Sequence, residues 1–180
     1  MKNKLLHIVD MQNDFVLANG KLAVAGSDAL IKPANDFLQN SKFDKTIATF
    51  DTHYKNSYVK SDEGKQFPVH CVYGTKGWKL AIKIPQYTPV LKGKFSVWDN
   101  PKDIESVLNG FAPENTDIFV FGVASDFCVR YAIDGYLKRG YNVTIISDLC
   151  RGIVNQIDDV AKDFRNKNLQ MITTKEFEGR

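Results

Sequence analysis

Residues 117–129, DIFVFGVASDFCV, decide the reading of the fold. The first seven, 117–123, form an almost unbroken apolar run rich in β-favouring residues, the mark of a strand buried on both faces. From 126 to 139 the period changes. Val129, Ala132, Ile133, Tyr136 and Leu137 fall on one helical face, and Gly140 stops it. A buried strand thus turns directly into an amphipathic helix, and Cys128 lies in the first turn.

The same alternation runs outward from this unit. Residues 4–10 (KLLHIVD) read as a buried strand. Residues 27–40 read as a helix with Leu30, Ile31, Ala34, Phe37 and Leu38 on one face and Ser27 or Asp28 as its cap. Residues 45–50 (KTIATF) form a second strand. Residues 51 to about 88 carry Gly64, Pro68, Gly74, Gly77 and Pro85 without a sustained apolar period, and a loop-rich stretch this long is usually functional. A short strand near 89–91, a helix near 102–109, a strand at 142–146, a helix near 155–165 and a strand at 169–172 complete the series. Strands alternating with helices predict an α/β fold: a doubly wound, mostly parallel sheet with helices on both faces, a Rossmann-like three-layer arrangement. With 180 residues, 43% of them hydrophobic, the chain is read as one domain over 1–180.

Composition excludes several classes. The net charge is +3 and the basic residues are dispersed, so no nucleic-acid or membrane-surface patch is expected. Apolar runs such as 118–121 are far too short to span a bilayer. Met1-Lys2-Asn3-Lys4 leads straight into a strand, with no signal-peptide pattern. Three cysteines, Cys71, Cys128 and Cys150, make neither a disulfide framework nor a CxxC motif, so a reducing, cytoplasmic setting is expected.

In an open parallel sheet, ligands bind beyond the carboxyl ends of the strands. Asp10, Asp51, His53, His70, Lys92 and Cys128 all lie at such ends or in the loops that follow. A cysteine in a first helical turn has unpaired amides and the positive dipole end beside it, which favour the thiolate. The same amides could hold an oxyanion. Asp10 could act as a general base or cap a turn, and Lys92 could steady both negative groups or sit solvated. Asp51-Thr52-His53, then His70 with Glu63 seven residues before it, offers carboxylates and imidazoles suited to Zn first, with Mn or Fe as alternatives. His7, Cys71 and Cys150 read as structural.

Together these pieces resemble the cysteine hydrolase superfamily that includes nicotinamidases and isochorismatases, over nearly the whole chain from Val9 to Gly152. Asp10-Met11-Gln12-Asn13-Asp14-Phe15 looks like its D-x-Q-x-D-F signature. Lys92-Gly93-Lys94-Phe95-Ser96 is similar to its K-x-x-[YF]-S segment, a register that selects Lys92 over Lys94. Residues 122–129 resemble the G-x-x-[ST]-[DN]-x-C-V elbow, and Asp148-Leu149-Cys150-Arg151-Gly152 the D-x-[CS]-R-[GA] turn. Asp51-Thr52-His53 with Phe67-Pro68-Val69-His70-Cys71 is similar to the nicotinamidase metal site, where Glu63 matches the variant with a glutamate in place of a second loop histidine.

The resemblance implies a triad of Asp10, Lys92 and Cys128, an oxyanion hole from the Ala124 and Cys128 amides, and a cis Val123–Ala124 peptide bond. It also implies one divalent metal held by Asp51, His53, Glu63 and His70. The implied substrate is nicotinamide, with pyrazinamide as a relative, hydrolysed through a thioester in NAD salvage. Phe15 and Phe67 are placed to pack on the ring or in the core. Two rivals stand beside this: a hydrolase of another small amide or enol ether, and a non-catalytic protein whose Cys128 packs or senses oxidation. Oligomeric state is not legible.

Overall fold

A computed structural model describes residues 2–164 and 167–178. Six strands, β1 (Asn3–Val9), β2 (Lys45–Asp51), β3 (Thr88–Lys92), β4 (Thr116–Val123), β5 (Asn142–Arg151) and β6 (Leu169–Ile172), form one sheet in the order β3-β2-β1-β4-β5-β6. Every adjacent pair is parallel. Helices α1 (Asn13–Val16), α2 (Ile31–Asn40), α3 (Lys55–Tyr58), α4 (Pro101–Val107), α5 (Arg130–Lys138), α6 (Ile157–Asp163) and α7 (Thr174–Glu178) surround it. The result is the expected three-layer α/β fold. Consecutive residues Leu5 to Val9 are all buried, which requires cover on both faces of the sheet.

Strand order fixes where chemistry can collect. The chain winds outward through β2 and β3, then crosses back to lay β4 on the other side of β1. The switch therefore lies between β1 and β4, and a crevice opens beyond their carboxyl ends. Gly122, with φ +138°, sits there, and a Cβ would meet the Val9 carbonyl oxygen at 2.1 Å. Glycine is what lets the two central strands approach so closely at the switch.

Local departures from the sequence reading have identifiable causes. Neither Ser27 nor Asp28 caps a helix. The Ser27 hydroxyl instead donates into the carbonyls of Phe15, Val16 and Val24, and a 3-10 turn at Ser27–Leu30 precedes α2. The helix expected from 126 begins as a π turn, Ser125–Val129, before α5. β5 runs on to Arg151, beyond the expected 146, because a register shift between Val120 and Gly122 lets Cys150 pair with Gly122. The helix near 155–165 is α6; its expected end, Arg165, lies outside the described residues. The irregular segment 51–88 contains only the single-turn α3 before β3 begins.

Candidate active site

Each candidate side chain is delivered by a strand end. Asp10 follows β1 with φ +48°, a turn that leaves its carboxylate fully buried. Asp51 ends β2 and Lys92 ends β3, and the β2–β3 register pairs these two residues directly. Cys128 sits in the π turn after β4. The Val123–Ala124 bond is cis.

Lys92 joins the cluster. Its Nζ lies 2.7 Å from Asp10 Oδ2, 3.5 Å from Asp51 Oδ1 and 3.5 Å from Cys128 Sγ. It also donates to the Lys94 carbonyl at 3.1 Å, and the side chain of Lys94 itself is exposed. Both Asp10 oxygens are buried, and the Lys92 ammonium is the cation that faces them. A buried carboxylate beside a thiol can take the thiol's proton. Burial works against the Lys92 charge, but Asp10 and Asp51 together hold its pKa well above the usual lysine value.

Burial pushes the Cys128 pKa well up; Lys92 opposes this, while Asp10 and Asp51 add to it, so these surroundings work against the thiolate that the helix turn favours.

Four further donors converge next to this group. The ligand atoms of Asp51, His53, Glu63 and His70 all lie within 4.8 Å of one another. Asp51 Oδ2 is 2.8 Å from His53 Nε2 and 3.0 Å from His70 Nε2, and Glu63 Oε1 is 3.7 and 3.8 Å from the same two nitrogens. His70 Nδ1 lies 2.8 Å from the Pro68 carbonyl. A carbonyl can only accept, so Nδ1 carries a proton and Nε2 is the atom turned toward Asp51. Burial lowers the His70 pKa, but its contacts with Asp51 and the Pro68 carbonyl win and raise it.

The charges agree. Burial opposes ionisation of Asp51, yet Lys92 and hydrogen bonds with His53 and His70 hold its pKa well below the carboxylate range. Burial and the Asp51 charge both push Glu63 upward. Two imidazoles and two carboxylates crowded in this way suit a borderline or hard divalent cation. The His70 Nδ1–Pro68 bond is the outer-shell contact that orients such a ligand.

The Cys128 thiol and three of the four donors, Asp51, Glu63 and His70, line one narrow cavity of about 30 Å³. Phe15, Phe67, Phe95 and Phe127 supply its aromatic walls, Val123 and Ala124 its floor beside Cys128, and Ile153 its rim. Phe15 is 5.3 Å from the His70 ring, and Phe67 packs edge-on to Phe95 at 6.1 Å. A larger open depression of about 1000 Å³ adjoins it along Glu63 and Phe95; His53 and Lys92 line that one, and Cys128 does not. The narrow cavity is where the Cys128 thiol meets Asp51, Glu63 and His70.

Sequence reasoning missed supporting residues that the structure makes plain. The Gln12 carboxamide accepts from the Asp51 N–H at 2.8 Å and donates to the Asp51 and Trp78 carbonyls at 2.9 Å each, clamping the residue that touches both Lys92 and the imidazoles. Asp14 accepts from the N–H of Cys71 at 2.8 Å and anchors the turn after His70. Both stand in the motif that begins at Asp10, so the polar spacing of that motif was the available signal. Tyr58 lies 3.3 Å from His70 Nδ1 and had no signal at all. His7 is structural: Thr49 and Tyr136 flank its ring nitrogens, and burial, with Lys92 adding, lowers its pKa to about 3. Cys71 and Cys150 are buried and free.

Comparison with known proteins places this geometry. Residues 4–176 match the isochorismatase domain. A nicotinamidase/pyrazinamidase of Mycobacterium tuberculosis is 30% identical over 163 residues, 83% of this chain and 87% of that protein. A nicotinamidase of Escherichia coli is 28% identical over 193 residues, 91% of this chain and 90% of that protein. The crystal structure of PnC1 from L. infantum in complex with nicotinate superposes with a TM-score of 0.82 at 25% identity, covering 97% of this chain and 94% of the other.

Proposed function

Since this chain belongs to the isochorismatase family, we propose that it hydrolyses nicotinamide to nicotinate and ammonia through a Cys128 thioester, acting as one catalytic domain over residues 1–180. The observation that carries this reading is the meeting of Cys128 with Asp51, Glu63 and His70 on one aromatic cavity, with His53 completing the donor tetrad and the buried Lys92–Asp10 pair beside the thiol. The nicotinamidases among its relatives support the choice of substrate.

The residues divide the work as follows. Asp10 removes the Cys128 proton as Sγ attacks the amide carbon. Lys92 stays protonated and offsets the negative charge that now resides on the tetrahedral oxygen and its neighbours. The Ala124 and Cys128 amides hold that oxygen, each such donor contributing roughly 3 kcal/mol in comparable sites. Asp10 returns its proton to the amide nitrogen, the C–N bond breaks and ammonia leaves. Asp10 then takes a proton from water as the water oxygen attacks the thioester carbon. The C–S bond breaks, nicotinate forms, and Sγ recovers the proton. Asp51, His53, Glu63 and His70 would hold one divalent ion, zinc being the best fit to this donor set. When bound, that ion supplies a Lewis-acid anchor for the pyridine nitrogen. Phe15 and Phe67 pack against the ring.

This chemistry belongs to pyridine nucleotide salvage. Among the described residues no helix is long and apolar enough to cross a membrane. The test is ammonia release from nicotinamide by the purified protein, with Cys128→Ala and a chelator-treated sample alongside. Release that requires both thiol and metal is expected. No release from a folded, zinc-loaded protein, together with release from another small amide, would replace nicotinamide by that amide.

A further inference from the structure

Thirteen residues line the catalytic cavity, and twelve are buried or half-buried. Ile153 alone is exposed, at 50% of its surface. Ile153 therefore stands at a boundary between the cavity and solvent, where a bulkier ligand would press against it.

Ile153 is not on a loose loop. The Asp126 carboxylate accepts three backbone N–H groups in succession: Ile153 at 3.0 Å on Oδ1, then Val154 at 2.8 Å and Asn155 at 3.1 Å on Oδ2. Burial is the largest single influence and raises the Asp126 pKa, but the backbone amides together outweigh it and hold it below its ordinary value, so the grip is charge-assisted. Gln156 closes the loop from the other side, accepting from the Gly152 N–H at 3.2 Å and donating to the Gly152 carbonyl at 3.3 Å. At Gly152 a Cβ would stand 1.9 Å from the Asn155 carbonyl oxygen, so the turn is too tight for any side chain. Asp126 itself is two residues before the nucleophile on the same π turn. The rim residue is thus referenced to the thiol through one short, rigid path: Cys128, Asp126, then the amide of Ile153.

We propose that Ile153 is a specificity-determining residue, a fixed rim that selects against substituents on the aromatic ring of the amide substrate, and that Asp126 is the positioning residue that holds it there. This rests on the proposed amidase reading. A narrow cavity with a yielding rim would accept a methyl group beside the carboxamide ring by displacing the loop. With three amides bound to one carboxylate the loop does not yield, and the substituent clashes. Val154, 78% exposed, shares the loop but lines no part of the cavity, which makes it the natural control.

The experiment measures kcat/KM for nicotinamide and for a series of ring-methylated nicotinamides on the zinc-loaded enzyme. Ile153→Ala should raise the methylated-to-unmethylated ratio about tenfold or more for at least one ring position, the scale on which a pocket discriminates single methylenes. Ile153→Phe should lower the ratio, and Val154→Ala should leave it unchanged. Asp126→Ala should relax the ratio in the same direction as Ile153→Ala, and the double variant should relax it no further, because both act through one rim. Unchanged ratios in Ile153→Ala and Ile153→Phe, with wild type active on nicotinamide, would overturn the rim. A loss in Asp126→Ala that is equal for every substrate would overturn its positioning role and leave it merely structural. Wild type inactive on the whole series would instead fault the amidase reading, which keeps the two failures apart.

Discussion

Replacing Lys92 by methionine keeps the aliphatic stem and removes only the ammonium. In the structure that ammonium stands 2.7 Å from Asp10 and 3.5 Å from Asp51. At an effective dielectric of about 20 these distances correspond to gross attractions of about 6 and about 5 kcal/mol. The ammonium's own burial cost of several kcal/mol disappears with it, and breaking buried pairs typically leaves a net loss of about 3–5 kcal/mol. Two carboxylates would then face each other in a water-poor site with nothing between them. A domain with about 5–15 kcal/mol of total stability would register this plainly. Urea unfolding followed by Trp78 and Trp98 fluorescence is the assay. With a slope of about 2 kcal/mol per molar urea, the midpoint should fall by about 2 M. Turnover should fall at least about a hundredfold, since the charge opposite the developing oxyanion is gone. Lys94→Met, whose side chain is exposed, should shift the midpoint by less than about 0.3 M, as surface substitutions usually do. Equal effects from the two substitutions, or a stable and active Lys92→Met, would refute the reasoning.

Three other outcomes follow from the same geometry. Cys128→Ala should abolish ammonia release and retain one metal ion per chain by elemental analysis; wild-type-like release would remove Cys128 as nucleophile. His53→Ala takes away an imidazole 2.8 Å from Asp51 Oδ2, so metal content after dialysis against a weak chelator should drop and KM for nicotinamide rise, while unchanged metal retention would argue against the tetrad. Asp126, whose folded pKa lies below the unfolded value, contributes stability that is present above about pH 4 and lost as pH falls through the folded value. The difference in melting temperature between wild type and Asp126→Asn should therefore hold from pH 5 to 7 and narrow below about pH 4. A difference that stays constant down to pH 3 would contradict the grip on residues 153–155.

What the chain could declare by itself was whatever depends on neighbours in sequence. Apolar runs at 4–10 and 117–123 and the single-faced helices after residues 30 and 129 are local periodicities, and they sufficed for a doubly wound sheet because parallel strands joined by helices leave few arrangements open. The same locality let residue types at strand ends nominate Asp10, Asp51, His53, His70, Lys92 and Cys128, since strand ends in such sheets converge. Contacts between distant segments had no such signature. The motif resemblance over 92–96 had already selected Lys92 over Lys94; what the sequence lacked was the β2–β3 register, which sets Lys92 opposite Asp51 while the Lys94 side chain is exposed. The pull of one helical turn toward a Cys128 thiolate is opposed by burial and by two carboxylates at the ends of other strands, none of it visible in local sequence. Ser27 looked like a cap from its spacing, yet three carbonyls from residues 15–24 offered its hydroxyl better partners. Gln12 as the clamp on Asp51, and Asp126 as the anchor of Ile153, join residues 39 and 27 positions apart. Hydrogen bonds over such spans exist only once the sheet has brought its strand ends together, so tertiary structure alone could decide them.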